Sequence, residues 1–234
     1  MKSNTDHCYL CGSTTDLTRD HIPPKCLFRE PSPDNLITVP CCFACNNGLS
    51  KQDELLRLLV CGGINRNSKG HRLWEEKVVP NTIQRGRLRD EVRSIIRTAR
   101  DCTCQTPQGQ KAAKFMTVPQ DGIRDALIRI AKGLMYENAR DVSRNSLLYK
   151  VVQIDQFRLN EMIDPIVPLM KWKGERGAGA FRYWGGQVEE DPNGGIWILM
   201  FFDSAAFAVF HEPRDRSRRS NQASQPIAGK PGSG

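Results

Sequence analysis

The chain has 234 residues, a formal net charge of +8 and a pI near 9.1. Its 39% hydrophobic and 26% charged residues suit a folded protein, and no apolar run approaches the ~18 residues of a membrane helix. The basic balance favours a polyanionic partner, and the polar start MKSNTDHCYLCG shows no secretory leader, which predicts a cytoplasmic protein.

Residues 5–62 are rich in motifs. Cys8-x-x-Cys11 and Cys42-x-x-Cys45 are two knuckles, and four thiolates complete a tetrahedral zinc site with no open position, which makes it structural. Cys41 is an alternative to Cys42 by position, although the two-residue gap of Cys42 matches the first pair. Short strands are predicted around Leu17–Arg19 and Leu36–Val39. Between them stands Thr18-Arg19-Asp20-His21-Ile22-Pro23-Pro24-Lys25. Proline disfavours helix in the residue before it, so the segment should be extended, with Asp20 and His21 on opposite faces. After the second knuckle a helix carries Leu55, Leu56 and Leu59. Ser50-x-x-Asp53 resembles a capping box, and Gly62-Gly63 ends the helix.

Residues 63–110 form a basic helical connector, with ten Lys and Arg against five Asp and Glu over 61–110. A helix is expected from Thr82 to about Arg100, with Leu88, Val92, Ile95, Ile96 and Ala99 on one stripe. Arg85, Arg89, Arg93 and Arg97 recur on another. That row reads either as a solvated face or as a rail for a phosphate backbone. Cys102-x-Cys104, at the end of this helix, is too tightly spaced for a zinc knuckle and reads as free thiols.

Residues 111–212 read as an α+β region, with a helix from about Gly122 to Tyr136 carrying Ile123, Ala126, Leu127, Ile130 and Leu134 towards a core. A meander of about three strands spans Ala180–Phe210, with turns at Asp191–Gly195 and Asp203-Ser204. Residues 213–234 are basic and low in hydrophobicity and read as a disordered tail. The fold class is therefore α+β: a zinc-stapled N-terminal module, a helical segment and a small C-terminal antiparallel meander. His7, His71 and His211 lack partners at informative spacing and read as structural.

The N-terminal series resembles the HNH endonucleases, whose pattern is a knuckle, Asp-His-Ile-x-Pro, Asn-Leu on a second strand, and Cys-x-x-Cys followed by His or Asn. Here it runs Cys8–Cys11, Asp20-His21-Ile22-Pro23-Pro24, Asn35-Leu36 and Cys42-Phe43-Ala44-Cys45-Asn46-Asn47. The resemblance covers about residues 7–60 and implies a ββα-metal module. His21 would be the general base that activates water, and Asp20 and Asn46 would hold a catalytic Mg²⁺ or Mn²⁺, since oxygen donors suit hard cations. Asn35 would brace the loop that aims His21. Asn47 remains an alternative to Asn46, and Lys51 is a candidate phosphate contact beside the arginine row.

The expected function is metal-dependent hydrolysis of phosphodiester bonds in DNA, with zinc as structural cofactor. An RNA-cleaving enzyme of the same chemistry and a non-catalytic zinc-knuckle nucleic-acid-binding protein are the alternatives. No membrane partner is expected, and residues 111–212 are open to a second copy or a regulatory protein.

Overall fold

The computed structural model describes residues 6–63, 65–84, 88–106, 109–138, 147–155, 159–188 and 191–214. The architecture is mixed α+β, with a four-cysteine cluster near the N-terminus and an antiparallel sheet towards the C-terminus. Strands β1 (Leu17–Ile22) and β2 (Ile37–Cys42) form a hairpin in which Asp20 faces Val39 and His21 faces Thr38. Alternation turns Asp20, Ile22 and Val39 into the core, while Arg19 and Thr38 are exposed. The Pro-rich connection returns the chain with cis peptides at Ile22–Pro23 and Glu30–Pro31.

Two helices follow at once, α1 (Phe43–Gly48) and α2 (Ser50–Gly62), and α2 ends where the paired glycines begin. Leu55, Leu56, Leu58 and Val60 are buried along α2. The expected capping box does not form. Ser50 Oγ instead donates to Asn47 O at 3.1 Å, and Asp53 turns into the protein. Helix α3 (Ser68–Leu73) is capped by Asn67, whose side chain accepts from the backbone of Lys69 and Gly70.

The long helix expected from Thr82 to Arg100 is replaced by three elements. A wide π-helical segment occupies Trp74–Gln84 with Pro80 inside it. Helix α4 spans only Arg89–Arg97, and Arg100–Thr106 is already a strand, β3, paired with β4 (Gly109–Phe115). Thr98 explains the early end: its hydroxyl donates to Ile95 O at 2.6 Å and accepts from Thr117 N at 3.0 Å, turning the chain out of the helix. On α4, Val92 and Ile95 are buried, but Ile96 is exposed. Cys102 and Cys104 lie in β3 rather than at a helix end, as free thiols with sulfurs 3.8 Å apart.

Helix α5 (Gln120–Asn138) is longer than the predicted 122–136 and buries the expected apolar stripe. It packs chiefly on α2 and also touches β1 and β2. The C-terminal sheet contains the expected three-strand meander and adds two strands from before Ala180, in the order β5-β9-β8-β7-β6, all antiparallel. Its members are β5 (Leu147–Ile154), β6 (Trp172–Arg176), β7 (Phe181–Val188), β8 (Asp191–Phe201) and β9 (Ala205–Pro213), with a short helix α6 at Leu159–Ile163. Asp191–Gly195 belongs to β8, with a register shift at Gln187/Val188, instead of forming a separate turn. The Phe202–Ser204 turn is present, with Phe202 and Asp203 at positive φ.

The unbroken apolar run of β8 reflects burial on both faces. Trp197, Leu199 and Phe201 face the main core, whereas Ile198 and Met200 pack with Ile154 and Ile163 in a second cluster. The main cluster joins the knuckle, α2, α5 and the sheet, from Cys8 to Val209. Among the described residues no helix is long and apolar enough to cross a membrane. The tail expected at 213–234 lies, beyond Arg214, outside the described residues.

Candidate metal centre and the Asp20 crevice

The two knuckles converge. The sulfurs of Cys8, Cys11, Cys42 and Cys45 all lie within 4.8 Å of one another, and those of Cys11 and Cys42 are 3.7 Å apart. Sulfurs placed ~2.3 Å from one zinc ion in a tetrahedron stand about 3.8 Å apart, so the residues fit structural zinc. Gly12 makes the first knuckle possible, because it turns at φ +81 while its N–H bonds Cys8 O. Strand alternation separates Cys41 from Cys42, and Cys41 faces the core outside the four-sulfur group, its thiol pushed up by burial and by the neighbouring Cys8. Burial also pushes the Cys8 thiol up, but backbone hydrogen bonds involving Cys42, Cys11 and Leu10 outweigh it and bring its pKa down to about 6. A thiolate, the form that binds zinc, is thus accessible at neutral pH.

Next to this cluster lies a buried polar crevice between the hairpin, α1, α2 and α5. Asp20 from β1 is 3% exposed. It meets Arg129 of α5, also 3% exposed: Nε donates to Oδ2 at 2.9 Å and Nη2 to Oδ1 at 2.5 Å. Arg129 Nη1 donates to Asp53 Oδ2 at 2.7 Å, and Nη2 also reaches Asn46 Oδ1 at 3.2 Å. Tyr9 completes the arrangement, its hydroxyl donating to Asp20 Oδ2 at 2.6 Å. Asn46 is oriented by a second bond, from Nδ2 to Thr18 Oγ1 at 3.0 Å. Asn47 is exposed, so the inward residue of the pair is Asn46.

Helix α5 reaches the crevice because Gly133 lies against Ile22 of β1, where an added Cβ would come within 2.4 Å of the Ile22 side chain. The oxygens of Asp20, Asn46 and Asp53 therefore converge on one cation, as hard ligands do, but that cation is the guanidinium of Arg129. The expected role of Asp20 and Asn46 as metal holders meets this competitor directly. The donor chemistry fits Mg²⁺ or Mn²⁺ only where Arg129 is withdrawn.

His21 stands on the opposite face of β1 from Asp20, half-buried, as alternation requires. Burial, reinforced by the charge of Lys25, lowers its pKa below 6.5, so the imidazole is neutral at pH 7. Asn35 does not brace the His21 loop. It is exposed, and its Nδ2 makes a long 3.5 Å contact to Glu175 O in β6.

The proposed phosphate contacts that the structure describes lie on or beside α4. Lys51 is paired with Glu91 at 2.5 Å. Arg89, Arg93 and Arg97 are exposed along α4, with Asp90 3.7 Å from both Arg89 and Arg93. Arg85 lies outside the described residues. Of the other histidines, His211 is buried with Nδ1 3.0 Å from Asn193 O, His71 is 3.5 Å from Glu75, and His7 packs edge-on against Tyr136.

No protein-family model, curated protein or solved structure matches the chain.

In the sequence Asp53 stands out only as a capping-box residue, and Arg129 not at all. Asp53 shares the buried face of α2 with Leu56 and Val60, and Arg129 lies on the apolar stripe of α5 beside Ala126 and Ile130. Charged residues on otherwise apolar stripes were the available signal.

Proposed function

We propose that the chain is an HNH-type endonuclease that hydrolyses phosphodiester bonds in DNA, with residues 7–60 as the catalytic module. The observation that carries this proposal is the convergence of Asp20 and Asn46 oxygens on one cation beside a four-cysteine cluster. The spacing of the motif expects that same convergence.

His21 supports the assignment through its protonation state. A neutral imidazole on the accessible face of the hairpin accepts a proton from water at cellular pH. Asp20 and Asn46 would hold Mg²⁺ or Mn²⁺, which when bound supplies charge neutralisation on the phosphate and stabilisation of the leaving oxygen. Arg89, Arg93 and Arg97 offer charge to the flanking backbone, and the thiol-rich knuckles suit the reducing cytoplasm.

A second assignment, nucleic-acid binding without hydrolysis, is favoured by one observation: Arg129 gives Asp20 and Asn46 a structural use. Plasmid DNA and RNA incubated with Mg²⁺ or Mn²⁺ separate the two. Wild-type cleavage that disappears in His21→Ala, at unchanged zinc content, supports the nuclease. Tight DNA binding by the wild type, with no cleavage of either polymer, supports the binding module.

A further inference from the structure

The charges in the crevice do not balance. Asp20 and Asp53 bring two carboxylates, and Arg129 brings one positive charge. Asp20 takes the better share, with bonds to both of its oxygens. Asp53 receives only Nη1, and its Oδ1 is buried without a hydrogen-bond partner. The residue is 9% exposed. Such an orphaned carboxylate oxygen is costly.

A divalent cation would match the two carboxylates in charge, and hard oxygen donors are the ligands that Mg²⁺ and Mn²⁺ prefer. Asn46 Oδ1 adds a neutral donor already pointed inwards. Apart from Asp53 Oδ1, the guanidinium and such an ion would use the same oxygens, so the two compete for one place. We propose that Arg129 is the resident cation of a latent divalent-metal site made by Asp20, Asp53 and Asn46, so that Mg²⁺ or Mn²⁺ binds there only by displacing it. Asp53 is thereby a metal ligand that the HNH motif does not name. The inference rests on the nuclease assignment for the use of the ion, but not for its binding.

The test uses the full zinc-loaded chain and Mn²⁺ alone, followed by the electron paramagnetic resonance signal of free Mn²⁺. Arg129→Gln, which keeps a hydrogen-bonding side chain without charge, should bind one Mn²⁺ about tenfold or more tighter than the wild type, the scale of an ordinary coupling between sites. Adding Asp53→Asn to Arg129→Gln should remove that gain. Thermal melting gives a second readout, since Mn²⁺ should raise the melting temperature of Arg129→Gln more than that of the wild type. Equal Mn²⁺ affinity with and without Arg129, or binding insensitive to Asp53→Asn, overturns the proposal. Failure of both Arg129→Gln and Arg129→Ala to fold in millimolar Mn²⁺ overturns it too, because the ion then cannot replace the guanidinium. Arg129→Gln that binds Mn²⁺ through Asp53 but cuts no nucleic acid upholds the site and defeats the nuclease. Cleaving wild type with Mn²⁺ affinity unaffected by Arg129 does the reverse.

Discussion

Arg129 and Asp20, separated by 109 positions, are joined by two hydrogen bonds of 2.9 and 2.5 Å in an interior that leaves each only 3% exposed. The pair ties α5 to the β1–β2 hairpin, and Asp53 extends the tie to α2. Removing one partner of a buried pair strands the other charge, at a cost of roughly 3–5 kcal/mol. Arg129→Ala should therefore lower unfolding free energy by that order in urea titrations without divalent metal. The loss should be strongly non-additive with Asp20→Asn. A loss below about 1 kcal/mol would show that the guanidinium is solvated in solution.

Zinc should be as important to the hairpin as the core is. Cys11→Ser, or chelation of the wild type, should release one zinc per chain and unfold the segment around β1, β2 and α1, because small metal sites supply folding free energy directly. Cys41→Ser and Cys102→Ser should keep the zinc. Metal analysis with circular dichroism checks both halves, and zinc lost from Cys41→Ser would contradict the ligand set.

Asp53 gives a signed pH dependence. Its pKa rises from 3.8 to about 6, mainly through burial, so between those values the folded chain holds a proton that the unfolded chain has released. Stability from this group is then present at acid pH and falls as pH rises through that window. Asp53→Asn should flatten the fall in melting temperature between pH 4 and pH 6 (approximate limits of the same window). An unchanged slope in the variant would place the titration elsewhere.

His21 has the opposite kind of shift, downwards from 6.5. As a base it works when neutral, so kcat/KM for DNA should rise as pH increases, with its midpoint below 6.5. The curve should then be level at neutral pH. A midpoint well above 6.5 would mean that another group takes the proton.

What this sequence reveals of its fold divides along physical lines. The knuckles, the hairpin, the glycine end of α2 and the inward stripe of α5 are legible because each depends on short-range spacing or periodicity. The split of Asp20 from His21 was legible for the same reason: adjacent residues of a strand must face apart. The partner of Asp20 was not, since only tertiary packing brings α5 across β1, helped by the absence of a side chain at Gly133. Periodicity makes α4 too long because it does not register a hydroxyl such as that of Thr98 bonding back to Ile95. The outer strands β5 and β6 went unread, as neither alternates strictly between apolar and polar residues. Ser50 and Asp53 matched a capping pattern, yet the low-dielectric interior gave Asp53 a stronger partner in Arg129.

The most direct measurement is plasmid nicking at fixed Mg²⁺ by four proteins: wild type, Arg129→Gln, His21→Ala and the Arg129→Gln/His21→Ala double variant. Metal access limited by Arg129 and proton transfer by His21 predict faster nicking in Arg129→Gln than in the wild type. Both proteins carrying His21→Ala should be inactive with zinc retained. Nicking by the double variant at the rate of Arg129→Gln, or no nicking by any of the four, would contradict the account.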